Sequence, residues 1–161
     1  MGSLRNCSLP FKRRRGDQAP TGLNGAPTSI DREVVGVGEA KEGNYIVVNS
    51  MKVFDAGAWI ANEKKLWQPI FEDGVKSGAV AGWAVVESLV PRGDKDRDTA
   101  YTVDIYPDWQ SFFSFFGPGF ADRWKRIHPD VPTADGMAQE HKADTTEHTR
   151  LYQVVAAVRS K

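Results

Sequence analysis

Residues 45–60 read YIVVNSMKVFDAGAWI: nine residues of strand length, rich in β-branched side chains, run straight into a helix start. Asp55 is a natural N-cap, and Phe54 before it is placed to staple onto Trp59. Beyond it, Trp59, Ile60, Leu66, Trp67, Ile70, Phe71 and Val75 recur at helical spacing. They span an arc of roughly 180°, the wide stripe of a helix laid on a sheet. Pro69 falls inside that stripe, where it removes one backbone bond and bends the helix, and Gly74 and Gly78 end it.

Outward from this strand-helix unit the signals stay regular. Ala79 to Val90 (AVAGWAVVESLV) reads as a second strand, and PRGDKDRD after it as a charged hairpin connection. Thr99 to Tyr106 alternates as a third strand. Pro107-Asp108 caps a second helical region, SFFSFF, which Gly117-Pro118-Gly119 must break. A short helix follows over Phe120–Ile127, then a polar helix over Thr133–His148, and Leu151 to Val158 (LYQVVAAV) closes the chain as a fourth strand. The order β-α-β-β-α-β predicts an α+β, ferredoxin-like fold: a four-stranded antiparallel sheet with its helices on one face. The strands are apolar on both faces, which a sheet covered on one side does not require. A second copy of the chain is the economical cover, giving a homodimer packed sheet to sheet.

The strand YIVVNSMKV leading into a helix with LWQPIF, the strand GWAVVESLV and the closing LYQVVAAV resemble the dimeric α+β barrel superfamily over about residues 44–158. That group includes antibiotic-biosynthesis monooxygenase-like, muconolactone-isomerase-like and NIPSNAP-like proteins, and uncharacterised relatives with a strand-MKV start and a W-x-P-I helix. The resemblance implies the dimeric fold. It also implies a ligand pocket, in which some members run a cofactor-independent oxygenase or isomerase reaction.

Composition bounds the rest. The chain has 161 residues, with 21 basic and 21 acidic side chains, so no global basic field invites nucleic acid. One cysteine, Cys7, excludes an internal disulfide framework and a cysteine-based zinc site. No run approaches the ~18 apolar residues of a membrane span. Residues 1–43 hold few large apolar side chains and many glycines and prolines, which reads as a flexible arm ahead of a domain at 44–161. The arm opens MGSLRNCSLPFKRRR, five positive charges before the first acid at Asp17. A solvated basic tail, or an arm docking on a partner protein, is the favoured reading for a cytoplasmic chain. Organellar or membrane-peripheral targeting stays open.

No nucleotide loop, nucleophile elbow or metal-ligand spacing is present, so the expected site holds no metal and no cofactor. Glu63 stands out because it falls at about 40° on the helical wheel, in the middle of the apolar stripe. A carboxylate there is either paired, or has its pKa raised by desolvation as a general acid or base requires. Of the three histidines, His128 in RIHPD ends an aromatic segment and could move a proton. The alternative is a helix C-terminal histidine held by the dipole. Phe112, Phe113, Phe115 and Phe116 cover an arc of roughly 160° and divide between core and pocket wall. Asn49, Trp67, Trp83, Tyr101, Phe112, Phe116 and Trp124 complete the candidate ligand site, with Tyr101 and Asp104 on opposite strand faces. An apolar, aromatic small molecule is the expected ligand. Two functions fit: a cofactor-independent oxygenase or isomerase, or a non-catalytic accessory subunit docking through its arm.

Overall fold

The computed structural model of the chain describes residues 30–90 and 100–156. Most of the N-terminal arm, the charged hairpin and the last residues of the expected closing strand lie outside them. The described chain is α+β, with one five-stranded antiparallel sheet. Its strands are β1 (Ile30–Gly38), β2 (Tyr45–Val53), β3 (Gly82–Val90), β4 (Ala100–Tyr106) and β5 (Asp144–Gln153), in the order β1-β3-β4-β2-β5. Strands β2 to β5 reproduce the split βαβ arrangement.

Strand β1 corrects the four-strand expectation and the arm boundary at residue 43. The Val-rich run IDREVVGVG pairs antiparallel with β3 from Ile30↔Val90 to Gly38↔Gly82. It satisfies backbone groups of β3 that would otherwise form an open edge. Gly38 ends it at φ 71, where a Cβ would sit 2.1 Å from the Ala81 carbonyl oxygen, so only glycine fits.

The long helix is α1 (Ala56–Asn62), a π-helical turn (Glu63–Trp67) and α2 (Gln68–Ser77) run together. Asp55 caps it as expected, accepting from the Ala58 amide at 2.9 Å. Phe54 makes no staple: it is exposed, while Trp59 is fully buried. Gly78, at φ 76, ends the helix; Gly74 stays inside it and lets Phe115 pack close. Helices α3 (Trp109–Phe115) and α4 (Phe120–Ile127) flank the expected GPG break, and Asp108 caps α3 through the Ser111 amide at 2.7 Å.

The polar segment 133–148 is not one helix. It forms α5 (Thr133–Glu140), a tight turn closed by Ala143 N–H to Glu140 C=O at 2.8 Å, and then β5. The closing strand therefore starts seven residues earlier than the apolar pattern suggested, at Asp144 instead of Leu151. Its Thr-rich first half is β-prone but polar, so hydrophobic periodicity does not mark it.

The helices cover one sheet face, and the core between the layers holds Val47, Met51, Trp59, Ile70, Phe71, Trp83 and Phe115. Phe71 stacks on Trp83 with centroids 5.2 Å apart. Trp124 is buried and donates to the Val131 carbonyl at 2.7 Å. Gly136 makes room for that indole: a Cβ there would lie 2.2 Å from Trp124 Cζ2. Gly136→Ala is expected to destabilise the fold by about 1–3 kcal/mol through overpacking, despite its gain in helix propensity. Urea midpoints of the two proteins check this.

Candidate functional site

Between the helical layer and the sheet lies a cavity of about 390 Å³. Strand alternation aims Val47, Asn49 and Met51 of β2, Trp83 of β3, and Thr102 and Asp104 of β4 into it. A register shift between Ser50 and Met51 in the β2–β5 ladder lets both Thr146 and Thr149 reach it. Trp67 and Phe71 enter from the long helix, Phe112 and Phe116 from the end of β4 onward.

The aromatic stretch divides its labour. Phe115 is buried against Phe71 at 5.2 Å, with the Arg123 guanidinium 4.4 Å above its ring. Phe112 and Phe116 line the cavity, and Phe113 is 58% exposed.

Four acids gather at this cavity: Glu63, Asp104, Glu140 and Asp144, which are 2%, 5%, 7% and 2% exposed. Among the described residues no lysine or arginine lines it, and His141 is the single basic side chain at its wall. Burial raises Glu63 well above the usual carboxylate range, with the negative charges of Glu140, Asp104 and Asp144 adding to the effect. Glu140 is raised by burial and by Asp144, and Asp144 by burial against the pull of Glu140 and His141. Glu140 lies against the carboxyls of Glu63 and Asp144, contacts that hold when one of each pair carries a proton. The Trp67 indole beside Glu140 works against the rise of that carboxyl. Apart from such a shared proton, no donor among the described residues completes a hydrogen bond to either Glu140 oxygen or to Asp144 Oδ2.

Asp104 is held differently. Asn49 Nδ2 donates to its Oδ2 at 3.2 Å and to Thr102 Oγ1 at 3.1 Å, and Thr149 Oγ1 fixes the amide by donating to Asn49 Oδ1 at 2.9 Å. Burial still dominates and pushes Asp104 up to about 7.

Of the residues singled out from sequence, Asn49, Glu63, Trp67, Trp83, Phe112 and Phe116 meet at the cavity. The other three do not. Tyr101 lies on the opposite face of β4 from Asp104, as alternation requires. Trp124 is packed in the core with its N–H satisfied. His128 ends α4, packs tilted against Trp124 with centroids 4.8 Å apart and donates from Nε2 to the Leu66 carbonyl at 2.8 Å, away from the cavity wall. Sequence reasoning missed Glu140, His141 and Asp144, because one continuous helix over 133–148 does not bring them to the sheet. Asp104 carried a signal: an acid in an apolar strand, on the face opposite Tyr101.

No protein-family model and no curated protein sequence matches the chain. Some solved structures are distantly similar, among them these two. One is a major regulator of staphylococcal pathogenesis, at 12% identity and a TM-score of 0.47, covering 84% of this chain and 74% of that one. The other is SnoaB, a cofactor-independent oxygenase from Streptomyces nogalater, at 14% identity and a TM-score of 0.36, covering 74% of this chain and 96% of that one. Among the described residues no group of side chains is arranged to hold a metal ion, and no helix is long and apolar enough to cross a membrane.

The raised acids make stability pH-dependent with a definite sign. A carboxyl whose folded pKa exceeds its unfolded value stabilises the fold below the unfolded pKa, and that contribution is lost as pH rises through the folded one. For Asp104 the window runs from 3.8 to about 7. At about 1.4 kcal/mol per unit, its loss amounts to at most about 4 kcal/mol. Asp104→Asn is therefore expected to be more stable than the parent at pH 8 by about 2–4 kcal/mol, and nearly equal at pH 4. Urea unfolding at the two pH values measures the difference.

Proposed function

We propose that the cavity binds an aromatic small molecule and that Glu63 moves a proton on it, in a cofactor-independent isomerase or oxygenase reaction. The observation that carries this reading is the placement of Glu63: a fully buried carboxyl at an aromatic-walled cavity, its proton affinity raised, beside a second carboxyl able to take or return the proton. In its ionised form Glu63 removes a proton from an acidic carbon or phenol of the ligand. Returning that proton to another carbon completes an isomerisation. Reaction of the resulting carbanion with molecular oxygen completes an oxygenation. Trp67, Trp83, Phe112 and Phe116 hold the ring, and Asn49 offers a fixed amide to a ligand oxygen.

Enolisable aromatic ketones and phenols, incubated in deuterated water with oxygen uptake monitored, test the reading. Label exchange by the parent protein that falls about 100-fold or more in Glu63→Gln, with ligand affinity kept, is the expected result. Equal exchange in the variant would remove Glu63 from the chemistry. Binding without exchange by the parent would leave a ligand-binding protein that does no catalysis.

A homodimer belongs to the same proposal. Ile46, Val48, Val86, Tyr101 and Val103 alternate with the cavity-facing positions and lie half-buried on the face without helices. A second copy packed on that face would cover these side chains. Sedimentation equilibrium is expected to give two chains at micromolar concentration, and Val103→Glu to give one.

A further inference from the structure

The acids at this cavity outnumber what proton transfer needs. One carboxyl removes a proton and a second can return it, yet four face the same space. Their neighbours do not compensate them. From the long helix only Glu63 presents a titratable group to the cavity, from β4 Asp104, from α5 Glu140 and His141, and from β5 Asp144. Lys64 and Lys65, next to Glu63 in the chain, are exposed. Both Glu140 oxygens and Asp144 Oδ2 are buried, and apart from the protons these acids share with one another no donor among the described residues completes a hydrogen bond to them. Unsatisfied carboxyl oxygens more than nine-tenths buried are costly unless something absent from the chain itself completes them.

The remaining wall is aromatic. Trp67 meets Phe116 edge-on at 6.3 Å, and Phe71 stacks on Trp83. Ring faces attract cations, and carboxyl oxygens accept from N–H donors. An ammonium group supplies three donors and a positive charge together. A carboxylate ligand would meet like charges, and a neutral hydroxyl supplies one donor and no charge.

We propose that the ligand of this cavity is an aromatic amine in its cationic form, its ammonium group seated among Glu140, Asp144 and Glu63 and its ring held by Trp67 and Phe116. The cavity of about 390 Å³ suits a molecule of one or two rings. This rests on the reading of the cavity as a ligand site and narrows the substrate class from apolar aromatic compounds to aryl-alkyl amines. Burial and the neighbouring Asp144 push Glu140 up to about 7, so docking of a cation against it drives its proton off; binding is accompanied by proton release and tightens as pH rises from 6 toward 8.

Three probes of equal size decide the matter: 2-phenylethylamine, 2-phenylethanol and phenylacetate. Each is titrated calorimetrically into the full chain in two buffers of different ionisation enthalpy. The amine is expected to bind about tenfold or more tightly than the alcohol, with net proton release, and phenylacetate not to bind. Glu140→Gln is expected to lose most of the amine's advantage over the alcohol and most of the proton release. Should that variant fail to fold, proton release by the parent chain still decides. Alcohol binding equal to or tighter than amine binding, or amine binding without proton release, would overturn the proposal and leave the proton-transfer site standing. No binding of any probe would remove the ligand site as well.

Discussion

Pro69 cannot donate a backbone hydrogen bond, and its ring crowds the carbonyl four residues earlier. The long helix meets this constraint with a widened turn immediately before it. Across residues 63–67 the Gln68 amide reaches back five residues to the Glu63 carbonyl. The helix continues instead of breaking, and its buried face runs on from Trp59 through Glu63 and Leu66 to Ile70 and Phe71. The Leu66 carbonyl, in the same turn, accepts from His128, which anchors the end of α4 to the long helix. Arg126 adds a two-pronged pair to Asp73 at 2.9 and 2.8 Å, two turns further along. Wide turns of this kind recur at functional sites, and here the turn carries both Glu63 and Trp67 to the cavity.

From that turn the electrostatics of the site follow. Glu63 is buried by the same packing that buries its apolar neighbours, and its carboxyl faces other acids across the layer. Glu140 and Asp144 raise the proton affinity of Glu63, and Asp144 that of Glu140, while Glu140 lowers that of Asp144, so these three carboxyls behave as a set that shares protons, not as independent acids. Asp104 stands apart because Asn49, held by Thr149, spends a donor on it. The sheet thus supplies the polar anchor with Asp104, Asp144 and Trp83, and the helices supply Glu63, Glu140 and the remaining rings.

Much of this was legible in the sequence, for reasons that particular residues make plain. Asp55 and Asp108 announce their helices because a cap needs only local chemistry. Glu63 is conspicuous because a carboxylate breaks a stripe of seven apolar side chains at a fixed angular period. Strand β1 was hidden by its setting: a short Val-Gly run in a Gly- and Pro-rich segment looks extended only once β3 is there to pair with it. Glu140 and Asp144 were hidden by a turn. Three residues separate them, and the chain passes from helix to strand between them, which no periodicity in so polar a segment records. The Phe-rich stretch was half legible: its period shows a broad aromatic face, but which ring meets the core depends on where α3 sits on the sheet.

Strands β5 and β3 are kept from pairing with foreign strands in unlike ways. Strand β5 borders solvent with a sequence of threonines and charges, DTTEHTRLYQ, which resists pairing with a foreign strand. Strand β3 carries GWAVVESLV and has no such protection of its own; β1 covers it along its whole length. A fragment trimmed at the apparent start of the domain, near Asn44, would strip that cover and present a long, valine-rich edge to other molecules. Such a fragment would be prone to self-association for a reason unrelated to its activity. Any shortened form of this protein should therefore begin before Ile30.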